Sequence, residues 1–265
     1  LSYRAIADQC AYDEGYLKDT GSELWKLLSQ AMGQPVTKQN IRGILYQLQQ
    51  SHISPQRISW GEAIDVSSFY GRTPEQETLT QWIIGDRCRL VGIFAFGGMG
   101  KTALSVKLTQ AIATEFEAVT WQSLRDTPPL AELLPPLLRF LANDPNFEIP
   151  EHPTGQISAL IKLLQERRSL IVFDNFDSLF ATEKSAGSFR EGYELYGELL
   201  TRLGEINHQS SVLITSREEP FEFATLAGKN RPVRRLKLEG LDCSAGQQLL
   251  HHQGIELTSD SAKKI

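Results

Sequence analysis

The sequence predicts an α/β fold, one parallel sheet flanked by helices on both faces, preceded by a small all-α module. Three observations carry this reading. From about residue 66, short apolar runs alternate with segments of helical periodicity. The first of those runs opens into a glycine-rich turn followed by an amphipathic segment. Residues 1–50, by contrast, show helical periodicity alone. Strands separated by helices need crossover connections, and crossovers make strands parallel and bury both faces of the sheet.

Taken in order, a first helix is expected over Ser2–Cys10, then a tight step at Ala11–Asp13 and a second helix from Glu14 to Ala31. Tyr16, Leu24, Trp25, Leu27 and Leu28 are its expected core residues. Gly33-Gln34-Pro35 breaks the pattern, and Thr37 is placed to cap a third helix. That helix would carry Ile41, Ile44, Leu45 and Leu48, the spacing of a core-facing stripe. Residues 51–65 lose periodicity and read as a linker. The expected strands are Leu90–Phe94, Ala118–Leu124, Leu170–Phe173, Val212–Thr215 and Val233–Leu238. Between them, Lys101–Phe116 presents Leu104, Leu108, Ala111 and Ile112 on one face, and Tyr193–Ile206 presents Tyr196, Leu199, Leu200 and Leu203. The chain begins at Leu1 rather than Met and its last residues run into a helix-like pattern, so a piece of a longer protein is expected.

Composition bounds the function. With 265 residues, 41% hydrophobic and 22% charged, the chain can bury a sizeable core and is not of the disordered class. No apolar stretch approaches the ~20 residues of a membrane helix, and no basic-then-apolar leader opens it, so a cytoplasmic setting is expected. Three separated cysteines (Cys10, Cys88, Cys243) offer neither a disulfide framework nor a CxxC site. The five histidines lack ligand spacing. A net charge of −5 disfavours non-specific nucleic-acid binding, which depends on Lys and Arg neutralising phosphates.

The most specific chemical signal is Ala95-Phe96-Gly97-Gly98-Met99-Gly100-Lys101-Thr102. It fits G-x-x-x-x-G-K-[ST] at every position except the first, where Ala95 stands. Glycines let backbone N–H groups turn inward around phosphate oxygens, and the helix that follows adds its positive end. Lys101 can reach the β- and γ-phosphates, and Thr102 can ligate Mg²⁺. Ser169–Asp174 is a buried strand ending in a carboxylate, and Asp174 would hold Mg²⁺ directly or through water. Asn175 follows where many hydrolytic relatives carry a second acid; Asn cannot act as a base, so fast hydrolysis is not expected, although Asp177 lies further along. A third strand runs into Ser216-Arg217, which places an arginine at the nucleotide edge of the sheet, unless Glu218 and Glu219 simply pair with it.

These elements resemble the NB-ARC branch of the STAND signalling ATPases, P-loop NTPases related to apoptotic protease-activating factors and plant disease-resistance proteins. Phe96–Thr102 is similar to the family's phosphate loop, Ile171–Asp174 to its Walker B strand and Leu213–Arg217 to its sensor strand. Phe69-Tyr70-Gly71-Arg72-Thr73-Pro74-Glu75 resembles the hhGRxxE motif, which the family implies lines the adenine side of the pocket, and Trp121–Arg125 resembles the segment after the P-loop helix. Asp86-Arg87-Cys88-Arg89-Leu90, Phe189–Tyr193 through Leu200, and His208-Gln209-Ser210 resemble a bacterial subgroup with C-terminal WD repeats. The resemblance implies a helix-turn-helix-like domain at 1–50, a linker at 51–65, a nucleotide domain at 66–238 and the truncated start of a helical subdomain at 239–265, with Leu249, Leu250 and Ile255. It implies ATP/ADP and Mg²⁺ as ligands. The expected nucleotide contacts are Phe69, Tyr70, Gly71, Arg72, Gly97, Gly98, Met99, Gly100, Lys101, Thr102 and Ala103. Lys101, Asp174 and Arg217 are the expected catalytic groups, and Thr102 and Asp174 the metal ligands.

The expected function is a nucleotide-dependent switch, closed with ADP and opened by exchange for Mg²⁺-ATP, with self-association of the full-length protein and slow hydrolysis as reset. The alternative is an ATP-gated DNA-binding regulator. Residues 1–50 hold five positive and five negative side chains, however, where a DNA reader shows a basic face, so a protein-interaction role is favoured. A kinase or helicase would need an acceptor-site or strand-separating motif, and none is found.

Overall fold

The computed structural model describes residues 7, 10, 12–32, 35–37, 40–41, 56–181 and 187–252. They fall in two units, Leu1–Pro55 and Gln56–Ile265. In the first, helix α1 spans Glu14–Met32. Asp13 caps it, its carboxylate accepting the Tyr16 N–H at 3.0 Å, which satisfies a donor that the first turn leaves unpaired. Leu17, Gly21, Trp25 and Leu28 form a partly buried stripe at i, i+4, i+8 and i+11. The expected core is corrected here: Tyr16, Leu24 and Leu27 lie off that stripe and are exposed. Thr37 and Asn40 bond reciprocally, the Thr37 N–H donating to Asn40 Oδ1 at 2.6 Å and the Asn40 N–H to Thr37 Oγ1 at 3.4 Å, as a capping box does. Most of the first expected helix, the Ile44, Leu45 and Leu48 stripe and residues beyond His252 lie outside the described residues.

The second unit is built on six strands: β1 Arg57–Ser59, β2 Leu90–Phe94, β3 Ala118–Ser123, β4 Ser169–Asp174, β5 Ser211–Ser216 and β6 Val233–Lys237. Their order is β1-β3-β4-β5-β2-β6, with every pairing parallel. The helices are α2 Thr73–Thr80, α3 Lys101–Ile112, α4 Leu130–Ala142, α5 Pro153–Glu166, α6 Leu195–Glu205, α7 Phe221–Leu226 and α8 Cys243–His252. Strand side chains alternate between two cores. Ile171 and Phe173 of β4 pack with α4–α7, whereas Leu170 and Val172 pack with α2 and α3. Because β2, β4 and β5 are buried on both faces, they read in sequence as continuous apolar runs rather than alternating ones.

Two features depart from the expected layout. Residues 57–59, within the stretch expected to be a linker, form an edge strand in register with Ala118–Thr120. An edge strand pairs on one side only, so this triplet, with Ile58 its one apolar residue, needs no longer apolar run to hold it. The helix expected over Lys101–Phe116 ends at Ile112, and a tighter turn at Ala113–Glu115 brings the chain to β3. Because all strands run the same way, the turns after β2, β4 and β5 share one edge. The register sets Phe94 beside Ser216, so Ala95 and Arg217 enter that edge side by side.

Candidate functional site

The turn after β2 forms a cradle. Gly98 and Gly100 take φ of 78° and 86°, in the left-handed region that favours glycine, and a Cβ on either would meet nothing within 4 Å. Their requirement is therefore conformational, and the space beside them is open to a ligand. Gly100 leads directly into α3, whose amino end adds positive potential. The Lys101 ammonium donates to the carbonyls of Ala95 at 2.8 Å and Phe96 at 3.0 Å, which folds the side chain back across the loop. Burial pushes its pKa down, and the carboxylates of Asp177 and Asp174 oppose that shift, while Arg217 adds to it.

Asp174, at the end of β4, is buried and accepts from two hydroxyls. Thr102 Oγ1 lies 3.0 and 3.2 Å from its two oxygens, and Thr215 Oγ1 makes a short bond to the first. Thr215 Oγ1 in turn accepts the Asn175 N–H at 3.1 Å. The chain Asn175–Thr215–Asp174 aims a carboxylate at the start of α3, and Thr215 was not among the residues the sequence singled out. Thr102 and Asp174 present hard oxygen donors side by side, the set that suits Mg²⁺. Asn175 itself stands at φ 60°, a conformation Asn tolerates.

Arg217 pairs with Asp177 at 3.2 Å, and its own N–H donates to the same carboxylate at 3.0 Å. The neighbouring acids are engaged elsewhere: Glu219 with Arg235, and Glu218 with the Gly187 N–H. The Arg217 side chain remains 65% exposed, and its guanidinium lies over Gly97, 3.7 Å from where a Cβ there would stand. Lys101, Thr102, Asp174 and Arg217 thus converge on one loop.

The second part of the site comes from the segment before α2. Gly71 and Arg72 are both left-handed, at φ 67° and 66°. For Arg72 that backbone costs about 1–3 kcal/mol and persists only where its surroundings fix it. Here they do: Arg72 is 7% exposed, and its guanidinium bonds Glu75 at 2.8 Å, the Met99 carbonyl at 3.1 Å and the Gly240 carbonyl at 3.4 Å. Arg72 therefore ties the hhGRxxE segment to the phosphate loop and to the entrance of α8. Gly71 permits the approach, since a Cβ on it would stand 2.6 Å from that of Ala245 in α8.

Together these segments enclose a cavity of about 490 Å³. Phe69, Tyr70, Arg72, Gly98, Met99, Gly100 and Ala103 line it, whereas Gly71, Gly97, Lys101 and Thr102 stand outside its lining. The roof was not legible beforehand: Gly240, Leu241, Gly246, Leu249 and Leu250 close the apolar end from α8 and the turn before it. Among the described residues no group of His, Cys, Asp and Glu forms a protein-only metal cluster, and no helix is long and apolar enough to cross a membrane.

Comparison with known proteins agrees with this geometry. Residues 72–186 match the NB-ARC domain family, and residues 1–48 match the vWA-MoxR associated protein N-terminal HTH family. An uncharacterized WD repeat-containing protein of Nostoc sp. is 40% identical over 203 residues, which cover 74% of this chain and 16% of that protein. The chain thus spans a small part of its relative's length. Cdc6p from Pyrobaculum aerophilum shares the fold, with a TM-score of 0.50 at 14% identity over 81% of this chain and 53% of that one. A STAND protein with a tetratricopeptide repeat sensor from Pyrococcus horikoshii has a TM-score of 0.48 at 18% identity, over 78% of this chain and 28% of that one. Residues 72–186 thus carry an NB-ARC domain, preceded in sequence by a segment, residues 1–48, of an N-terminal HTH family.

Proposed function

We propose that this chain is the ATP/ADP-responsive switch of a larger regulatory protein, with exchange of ADP for Mg²⁺-ATP favouring an open, self-associating form. The observation that carries the reading is the Arg217–Asp177 pair poised over Gly97, beside the Thr102–Asp174 bond. An exposed guanidinium at that position can leave one carboxylate for a γ-phosphate, and the difference in contacts between the two nucleotides is what shifts a two-state equilibrium. Lys101 holds the β- and γ-phosphates, and the N–H groups of Gly97–Ala103 cradle them. Phe69, Tyr70, Gly71 and Arg72 bound the adenine side, under the α8 roof. Mg²⁺ held by Thr102 and Asp174 would neutralise phosphate charge.

Asp174 serves the two hydroxyls and Asp177 serves Arg217, while Asn175 brings no carboxylate. The residues therefore favour slow hydrolysis, suited to a reset rather than to turnover. We assign residues 1–50 to a protein-interaction module, 51–65 to the connection, 66–238 to the nucleotide domain and 239–265 to the start of a helical subdomain. The edge strand at 57–59 extends the nucleotide domain's sheet into the connection. Titration with fluorescent ADP tests the reading. Lys101→Ala is expected to weaken binding roughly tenfold or more, because one charge-assisted contact contributes about 1.5–3 kcal/mol. Unchanged affinity would overturn the reading.

A further inference from the structure

The amino-terminal edge of the sheet, opposite the nucleotide cavity, holds a second cavity of about 770 Å³. Arg87 and Arg89 reach it from the turn before β2, Gln165 from the end of α5, and Asn207, His208 and Gln209 from the loop before β5. Its walls are tied by side chains. Gln165 donates to the Asn207 carbonyl at 2.9 Å, Gln209 to the Gln165 carbonyl at 2.8 Å, and Ser211 to the Cys88 carbonyl at 2.8 Å. Ser210 holds the carbonyls of Leu164 and Arg167 at 2.9 and 2.7 Å. Asp86–Leu90 and His208–Ser210, two segments whose likeness to the WD-repeat subgroup the nucleotide site does not use, meet here.

The polar groups in this cavity are unbalanced. No carboxylate lines it, and among the described residues neither Arg87 nor Arg89 forms an ion pair. Arg89 Nε is buried without a hydrogen-bond partner, and burial lowers the pKa of that guanidinium with no acid opposing it. A part-buried cation without a partner is costly, and Arg89 is one, while the exposed Arg87 brings a second positive charge to the same acid-free lining. His208 is 8% exposed. Its Nε2 lies 3.1 Å from the Leu203 carbonyl, which can only accept, so Nε2 carries the proton and Nδ1 is left as an acceptor. Nδ1 is buried and has no partner. Burial lowers the His208 pKa to about 4, helped by Arg89 and opposed by contacts with the Leu203 and Ser210 backbones, so the ring is neutral at pH 7.

We propose that this cavity binds a small phosphate monoester bearing a hydroxyl group, with Arg87 and Arg89 holding the phosphate and His208 Nδ1 accepting from the hydroxyl. Guanidinium forks match phosphate oxygens, and a neutral imidazole acceptor calls for a donor that phosphate dianion lacks. The volume also exceeds what a bare oxyanion fills. The site is separate from the phosphate loop and does not depend on the nucleotide reading.

Glycerol 1-phosphate and inorganic phosphate, titrated separately into the ¹⁵N-labelled chain, test it by NMR. The Arg89 Nε–H reports this cavity, and the Gly98 and Gly100 amides report the phosphate loop. Arg87 is exposed at φ 51°, so Arg87→Asn keeps a residue that accepts that backbone. The expected result is a saturating Arg89 shift, tighter for glycerol 1-phosphate than for inorganic phosphate. Arg87→Asn should weaken it at least tenfold while the Gly98 and Gly100 titration is unchanged. A shift that never saturates, or one indifferent to Arg87→Asn, would overturn the site. Equal affinity for the two ligands would overturn the role of His208.

Discussion

Arg72→Ala removes the group that joins three segments of the nucleotide site. Its guanidinium donates to the Glu75 carboxylate at 2.8 Å and the Met99 carbonyl at 3.1 Å, while the 3.4 Å contact to Gly240 adds little. Hydrogen bonds to a charged group contribute about 1.5–3 kcal/mol each. The Glu75 side chain keeps 24% of its exposure and can rehydrate, so the lower figure applies. Two such bonds give about 3 kcal/mol. In a domain of this size each kcal/mol moves the midpoint by about 2–4 °C, so a fall of about 6–12 °C is expected. Differential scanning calorimetry of the chain reads this directly. Arg72→Lys should recover part of the loss, because an ammonium can meet Glu75 but cannot span Met99 and Glu75 with one planar fork. A midpoint within 1 °C of the parent for Arg72→Ala would refute the reasoning, and with it the idea that this arginine ties its own segment to the phosphate loop.

Other substitutions probe other parts of the account. Gly71→Ala combines a left-handed backbone, at about 1–2 kcal/mol, with a Cβ 2.6 Å from that of Ala245, so α8 should shift; loss of hydrogen-exchange protection over 243–252 checks it. Thr215→Val removes the short bond to Asp174 and leaves the Asn175 N–H without its acceptor. It should weaken binding of nucleotide with Mg²⁺ more than without it, as paired calorimetric titrations would show. His208 has a folded pKa of about 4 against 6.5 for the free group, so its contribution is complete above pH 6.5 and is lost as pH falls toward 4. The full shift corresponds to roughly 3 kcal/mol, and His208→Gln should flatten the pH dependence of urea midpoints across that window.

The parts legible in the sequence are those whose signal is local. The strands β2, β4 and β5 are buried on both faces, so each is an unbroken apolar run, and the phosphate loop is one contiguous string of glycines, lysine and threonine. The remaining features depend on partners distant in sequence. β1 exists because Arg57–Ser59 meets Ala118–Thr120 across some sixty residues, with only Ile58 to mark it. α4 buries Leu130, Leu133, Leu134, Leu137, Leu138 and Leu141, yet Pro135 and Pro136 inside it obscure the helical signal. Thr215 is a plain β residue until its hydroxyl meets Asp174, and Arg217 chooses Asp177 over the adjacent Glu218 and Glu219 because the turn after β4 faces it. The α8 roof likewise packs on Gly71, far upstream, and Ala245 is its only fully buried residue among those described.

The proposed switch rests on discrimination between the two nucleotides by Arg217. Competition of ATP and of ADP against a fluorescent nucleotide, in the parent chain and in Arg217→Ala, measures it most directly. The side chain is largely exposed, so the substitution should leave stability within about 0.5 kcal/mol while lowering ATP affinity at least tenfold and sparing ADP. Equal losses for ATP and ADP, or no loss for either, would contradict the switch.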